Sequence, residues 1–434
     1  MNQYSTYKPS GIDWLGEIPE HWKLKRMKNI CEYISRGITP TYAESSLYRV
    51  INQATFSKGF FDDENAKYTT NSDKKALAKN QDILIASTGG GVLGKAFFIE
   101  NIKGDFYTDS HVTTIRVNKK HLITKYLYYF FSINYDLING ILAKGSTNQT
   151  ELQRDQLLNF HWCTPPLFEQ SIIINYLDTK TANIDRKIEL LSAKADKYKA
   201  LRCSLINETV CRGLNHHAVL KDSGVECIGM IPEQWDVKRV KEVFKNTGSG
   251  TTPPSGDESY YGNNGINWLQ TGDLNDSFIT ETSKKVSQKA KDEFSTLKLY
   301  PQGSLVIAMY GATIGKMGYL NIKTTTNQAC CVLSNLFLCN KMYVFYQLLS
   351  MKQYIISLST GGGQPNINQD IIRFLKLAIP PLSEQTVIAN YLDDKTVQLD
   401  TIISNIEQQI NKLTQLRKTL INDVVTGKIN VTKG

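Results

Sequence analysis

The sequence contains no run of about 18 apolar residues and no secretory-leader pattern at its start, which excludes a membrane-spanning helix and predicts a soluble, cytoplasmic chain. None of the eight cysteines forms a C-x-x-C, so zinc and dithiol redox chemistry are not indicated and the thiols are read as buried and free. The six histidines are scattered except for His216 and His217, which lack matching ligands nearby, and this argues against a zinc nuclease. The scattered Asp and Glu residues offer no metal-nuclease constellation either. Both double prolines, Thr164-Pro165-Pro166-Leu167 and Ile379-Pro380-Pro381-Leu382, lack the acidic or amide residue before them and the aromatic after them that hold a flipped base in an amino-methyltransferase. They read instead as helix starters, because proline fits the first turn and blocks helix before it. The stretch STGGGVLGKAFF, residues 87 to 98, supplies Gly89, Gly94 and Lys95 of a phosphate-binding loop but has Ala96 where a magnesium-holding hydroxyl belongs.

What is present is a chain written twice. At 434 residues and 41% apolar content it is long enough for two to four domains. KPSGIDWLGEIPEHWKLKRMKN at 8 to 29 recurs as KDSGVECIGMIPEQWDVKRVKE at 221 to 242, matching Ile18, Pro19, Glu20 and Trp22 to Ile231, Pro232, Glu233 and Trp235. PPLFEQSIIINYLDTKTANID at 165 to 185 aligns with PPLSEQTVIANYLDDKTVQLD at 380 to 400 with 13 of 21 positions identical. Between these frames only islands survive: SRGITP (35 to 40) with GSGTTP (248 to 253), DILIASTGGGVLGK (82 to 95) with GSLVIAMYGATIGK (303 to 316), and GSTNQTEL (145 to 152) with TGGGQPNI (360 to 367). A shared frame with different filling suits one kind of recognition performed on two different targets. In the gapless alignment Tyr310 falls opposite the first glycine and Met317 opposite Ala96. Both copies are therefore read as strand, glycine turn and strand, whereas a phosphate loop needs a helix N-terminus there.

Each double proline opens a helical pattern of about 45 residues, or about 65 Å. Ile184, Ile188, Leu191, Ala195, Tyr198 and Leu205 follow a 4,3 spacing interrupted by Arg202. Leu399, Ile403, Ile406, Ile410, Leu413, Leu420 and Val424 do the same, interrupted by Arg417. These are coiled-coil seams in one register, which predicts that the helices are partners. Ser383 is expected to cap the second helix, Glu169 and Glu384 to complement the first-turn dipoles, and Gly213 and Gly427 to end the runs. The order module, helix, module, helix then requires antiparallel helices, with the C-terminus returning near the N-terminus in an elongated, pseudo-twofold dumbbell.

A net charge of +9 and 22 tyrosines are compatible with a nucleic-acid partner. Rods of this length meet the spacing of about 34 to 36 Å at which dimeric DNA readers place two heads. The site read would be split and asymmetric, because the two modules differ. The opening W-L-G-x-I-P-x-H-W, the G-x-T-P loops and the doubled P-P-L-x-E-Q-x-x-I-x-x-Y-L resemble the specificity subunit of type I restriction-modification systems over essentially the whole chain. The resemblance implies an α+β fold with two pseudo-twofold-related α/β target recognition domains, at 1–164 and 214–379. Conserved helices at 165–213 and 380–434 would form an antiparallel coiled coil that sets the spacer. It implies double-stranded DNA as ligand and no catalytic residue or cofactor in this chain. Two DNA adenine methyltransferase subunits would carry S-adenosylmethionine, and two restriction/translocase subunits would use ATP and magnesium. The competing reading is a coiled-coil scaffold whose two heads bind proteins.

Direct readout requires polar side chains on loops or strand ends, and phosphate contacts require cations, hydroxyls and backbone amides. The candidates are Arg36, Thr39, Asn52, Gln53, Lys58, Lys95 and Arg116 in the first module. In the second they are Ser249, Thr251, Thr252, Gln270, Thr271 and Lys316. The loops at Gln149 and Gln364 precede the helices and could equally pack against the linker.

Overall fold

Two prolines in a row leave the chain without backbone donors just where each long helix begins, and the helices start immediately beyond them. In the computed structural model, which describes residues 2–64, 66–89, 91–144, 150–360 and 366–432, these helices span Leu167–Arg212 and Leu382–Val425. The carbonyls of Pro166 and Pro381 accept the first helical bonds, from Gln170 N and Gln385 N, each at 3.0 Å. Ser383 therefore does not cap the second helix as expected: it lies inside the first turn, one residue past the start at Leu382, and Pro381 occupies the cap position. The glycine stops are as expected. Gly213 (φ +73°) and Gly427 (φ +82°) adopt the left-handed conformation that glycine tolerates, and a Cβ on Gly427 would stand 2.4 Å from the Pro19 ring.

The chain divides into two compact units, Met1–Ser192 with Gln408–Gly434, and Ala193–Glu407, so each unit holds one head and a length of both helices. Within the second unit Lys199 pairs with Glu407 at 2.8 Å and Arg202 with Asp400 at 2.9 Å, so one helix descends as the other climbs. In the first unit Arg417 pairs with Asp185 at 2.8 Å. The two arginines that interrupt the seams are thus each ion-paired to an aspartate of the facing helix. Ala195, Ile403, Ile406, Leu420 and Val424 are buried in the seams, and the remaining heptad residues are half-buried. Apolar burial carries the pairing, because ion pairs this exposed contribute at most about 1 kcal/mol each.

Each head is built on two larger sheets, beside shorter two-stranded ones. In the first, Cys31–Arg36, Val112–Val117, Ile83–Ala86 and Ala96–Phe98 lie side by side and antiparallel. In a second sheet Tyr48–Ile51 runs parallel to Asp105–Thr108. The other head repeats the plan: Phe244–Gly248, Cys330–Leu336, Leu305–Ala308 and Met317–Leu320 form the antiparallel order, and Tyr261–Leu269 runs parallel to Thr325–Thr326. Ile83–Ala86 and Leu305–Ala308 are buried at every position, as expected of uninterrupted apolar runs covered on both faces.

The recurrence of the frame has a physical cause, because its separate pieces bond to one another. Glu169, 1% exposed, accepts from Trp22 Nε1 at 3.1 Å and from the Tyr4 hydroxyl, and pairs with His21 at 2.9 Å. Glu384 accepts from Trp235 Nε1 at 3.1 Å. The neighbouring glutamines tie in the start of a ten-residue helix in each head, Thr124–Ile133 and Lys341–Ser350. Gln170 accepts from Ile123 N at 2.8 Å and donates to Pro165 O at 2.9 Å; Gln385 accepts from Asn340 N at 2.7 Å and donates to Pro380 O at 2.8 Å. Buried tyrosines close the frame: Tyr126 donates to Val425 O at 2.8 Å and Tyr343 to Val210 O at 3.2 Å. A buried donor left without its acceptor costs about 1–3 kcal/mol, so these residue types are held by packing within each unit.

Candidate nucleic-acid interface

The glycine stretches are strand, turn and strand. Ile83–Ala86 pairs antiparallel with Ala96–Phe98, and Leu305–Ala308 with Met317–Leu320. Gly94 (φ +87°) and Gly315 (φ +76°) both need the left-handed conformation, and their N–H groups donate to Ala86 O and Ala308 O. This register corrects the gapless alignment by one residue. Ala86 N donates to Lys95 O and Ala308 N to Lys316 O, so the second turn is one residue shorter and Ala86 corresponds to Ala308. Gly311 (φ +68°) then stands where Gly89 (φ +90°) does, and Tyr310 corresponds to Thr88. Those two residues make matching bridges, Thr88 to Glu151 and Tyr310 to Asn366.

In the first unit this turn meets other loops at one edge. Gln53 Nε2 donates to Thr88 O at 2.6 Å and to His111 O at 3.2 Å, and Lys95 Nζ donates to Ser57 O at 3.1 Å. Arg36 joins from the sheet end, donating to Leu152 O and pairing with Glu151, both at 3.1 Å. Arg36, Asn52, Gln53, Lys58 and Lys95 therefore belong to a single loop cluster. Lys58 and Lys95 are its exposed members, and Thr39 is exposed on the G-x-T-P loop that follows Arg36, whereas the Asn52 side chain caps the turn at Gln53–Phe56 by accepting from Thr55 N. Gly37 of the G-x-T-P loop is dictated by crowding: a Cβ there would lie 1.9 Å from Thr108 O. Arg116 lies elsewhere, beside the start of Ile83–Ala86, where its guanidinium grips the fully buried Asp82 with contacts of 2.7 and 2.6 Å.

The second unit gathers the equivalent loops. A Cβ on Gly250 would lie 1.7 Å from Thr326 O, the same crowding as at Gly37. Thr252 donates to Gln328 Oε1 at 2.7 Å, Thr251 O accepts from Trp268 Nε1 at 3.1 Å, and Ser249 accepts from Gln369 Nε2 at 3.0 Å. Gln270 N donates to the Asp273 carboxylate at 2.8 Å, which fixes the turn that carries Thr271. Lys316 follows the glycine turn and is half-buried. Gln149 and Gln364 lie outside the described residues. Thr88, His111 and Gln328 are members of these edges that the sequence reading missed; their partners are 23 to 76 residues away, beyond any local pattern.

Electrostatics favour polar contact at the edges and no thiol chemistry. Burial raises the Asp109 carboxyl above the ordinary carboxylate value, and the His111 N–H that donates to it at 2.9 Å opposes the shift. Burial likewise pushes the thiols of Cys330 and Cys331 up to about 12, which keeps them protonated and inert. Among the described residues, no group of His, Cys, Asp and Glu side chains is arranged to hold a metal ion. Among the same residues, no helix is long and apolar enough to cross a membrane.

Fold and edge together define a two-headed protein made by duplication, in which variable polar loops are mounted on a constant frame of tryptophan, glutamate, glutamine and long helix. The family model for the type I restriction modification DNA specificity domain matches the chain twice, at residues 19–194 and 232–415, and the chain belongs to that family. It is 24% identical to the type I restriction enzyme MjaVIII specificity subunit of Methanocaldococcus jannaschii, over 95% of this chain and 94% of that protein. It is 22% identical to the StySPI specificity subunit of Salmonella potsdam, over 95% and 90%. A solved structure from work on assembly and conformational transition of the type I R-M system has the same fold, with a TM-score of 0.72 at 17% identity over 95% of this chain and 99% of that one.

Proposed function

We propose that this chain is the non-catalytic DNA sequence-specificity subunit of a type I restriction-modification complex. Each head reads one half of a bipartite, asymmetric site through the major groove, and the number of residues in the long helices sets the gap. The observation that carries this reading is the contrast between frame and edge. The residues that hold each head to its helices recur at matched positions, whereas the loops gathered at the edges differ: Asn52, Gln53 and Thr88 in one head stand against Gln270, Thr271 and Tyr310 in the other. A fixed mount with two different polar readers is what two unlike half-sites require.

Cofactor chemistry then belongs to partners. Two methyltransferase subunits, carrying S-adenosylmethionine, dock on the helices, and two restriction subunits bring ATP and magnesium; the assembly works in the cytoplasm. Membership of the family and its relatives' names support these partners. The test is to express the chain with a cognate methyltransferase and map modified adenines by single-molecule sequencing. A split motif with a fixed gap is expected; unmodified DNA from a complex whose methyltransferase is active would refute the reading.

A further inference from the structure

The two heads differ in more than their loop edges. The second unit carries a cleft of about 670 Å³ whose lining includes Lys241, Lys245, Lys298 and Arg373 together with the amides of Asn246 and Gln369. Among the described residues no carboxylate lines it, although Arg373 also keeps an ion pair at 3.2 Å with Asp370 beside it. The ammonium groups of Lys241 and Lys245 lie over the rings of Phe374 and Phe337, at 4.1 and 5.1 Å from the centroids, so each cation is held at an aromatic face.

The first unit fills the corresponding place. Ile99 N donates to Asp82 O as Leu320 N donates to Ser304 O, and Arg116 faces Tyr33 across the ladder as Ser334 faces Asn246. By this register the ion pair of Arg116 with the buried Asp82 stands where the second unit has two serines. Tyr33 stands where it has Asn246; its hydroxyl donates to Lys75 O at 2.5 Å and its ring lies 5.4 Å from the Arg116 guanidinium. The cations are not shared either. Lys245, Lys298 and Arg373 correspond to Glu32, Ala76 and Leu158, which leaves only Lys28 opposite Lys241.

Three lysines without an ion pair among the described residues, beside an arginine and two side-chain amides in a cleft too polar for an apolar ligand, match the charge and hydrogen-bonding needs of phosphodiester oxygens. We propose that this cleft is a phosphate clamp by which the second head grips the duplex backbone, so that the two heads contribute unequally and the second supplies more of the salt-dependent affinity. The proposal rests on the DNA-reading function above and adds to it the residues that hold the backbone.

The test uses the full chain and fluorescein-labelled duplexes, one carrying the methylated motif and one unrelated. Binding is titrated across a fourfold rise in salt for the wild type, Lys245→Ala, Lys298→Ala and, as a control, the exposed Lys119→Ala. Each clamp variant should lower the slope of log affinity against log salt by about 0.9, shrinking the loss across that range by about 3.5-fold, and should weaken both duplexes equally. The pair Ser304→Asp with Ser334→Arg, which installs the filling of the first head, should lower the slope as well, with its melting temperature reporting whether the head remains folded. Slopes unchanged from wild type in the folded clamp variants would overturn the clamp and leave the DNA reading standing. Failure of the wild-type chain to bind either duplex at low salt would overturn both.

Discussion

Replacing Glu169 by alanine should destabilise the first unit far more than Glu384→Ala destabilises the second, although the two glutamates occupy matched positions in the repeat. Glu169 is 1% exposed and serves three partners: Trp22 Nε1, the Tyr4 hydroxyl and His21. Glu384 is half-buried and, among the described residues, accepts a side-chain hydrogen bond from Trp235 only. Trp22 is fully buried and Tyr4 nearly so, so truncation strands two donors away from water, at about 1–3 kcal/mol each, or about 2–6 kcal/mol together. Water can reach the Glu384 position, and the loss there should be about 1 kcal/mol or less. Glu169→Gln, which keeps an acceptor oxygen, should recover at least half of the difference. Urea unfolding followed by tryptophan fluorescence and by backbone circular dichroism measures this, with the two probes compared because a two-unit chain need not unfold in one step. Equal losses at the two positions, or a loss under about 0.5 kcal/mol for Glu169→Ala, would refute the view that these hydrogen bonds hold the frame.

Four further outcomes are expected. Native protein treated with a thiol reagent near pH 8 should be modified at the exposed Cys203, while Cys163, Cys330 and Cys331, with thiols pushed up to about 12 by burial, react only after unfolding, as peptide mass mapping would show. Gly315→Ala should lower the melting temperature, because the position has φ +76° and the new Cβ would stand 2.7 Å from the Ile356 side chain. A double-mutant cycle on Asp185 and Arg417, half and one third exposed, should give a coupling of about 0.2–1 kcal/mol that shrinks in high salt. Inserting a few residues in register into the helix Leu167–Arg212 should change the gap of the methylated motif and neither of its halves.

Much of this organisation was legible in the sequence because it is periodic or repeated. The seams of Ile403 and Leu420, the stops at Gly213 and Gly427, and the strand pairs around the glycine turns all follow from spacing and from the conformational needs of glycine. The parts that were not legible depend on contacts between distant segments. Arg202 and Arg417 look like breaks in a heptad until Asp400 and Asp185 arrive from the other helix. Arg116 looks like a free surface cation until the fold places Asp82 beneath it. Ser383 matches a capping residue by type, yet the proline before it already supplies the first carbonyl. The turn that is one residue shorter in the second copy shifts the register of a buried strand, and only the ladder reveals that Ser304 and Ser334 replace an ion pair.

The central claim, one chain holding two independent readers on one frame, is tested most directly by exchange. Residues from roughly 30 to 160 are replaced by the same segment of another family member, the chimera is expressed with its methyltransferase, and modified adenines are mapped. One half of the split motif should change while the other half and the gap stay as they were. A change in both halves, or in neither with the complex still active, would contradict the account.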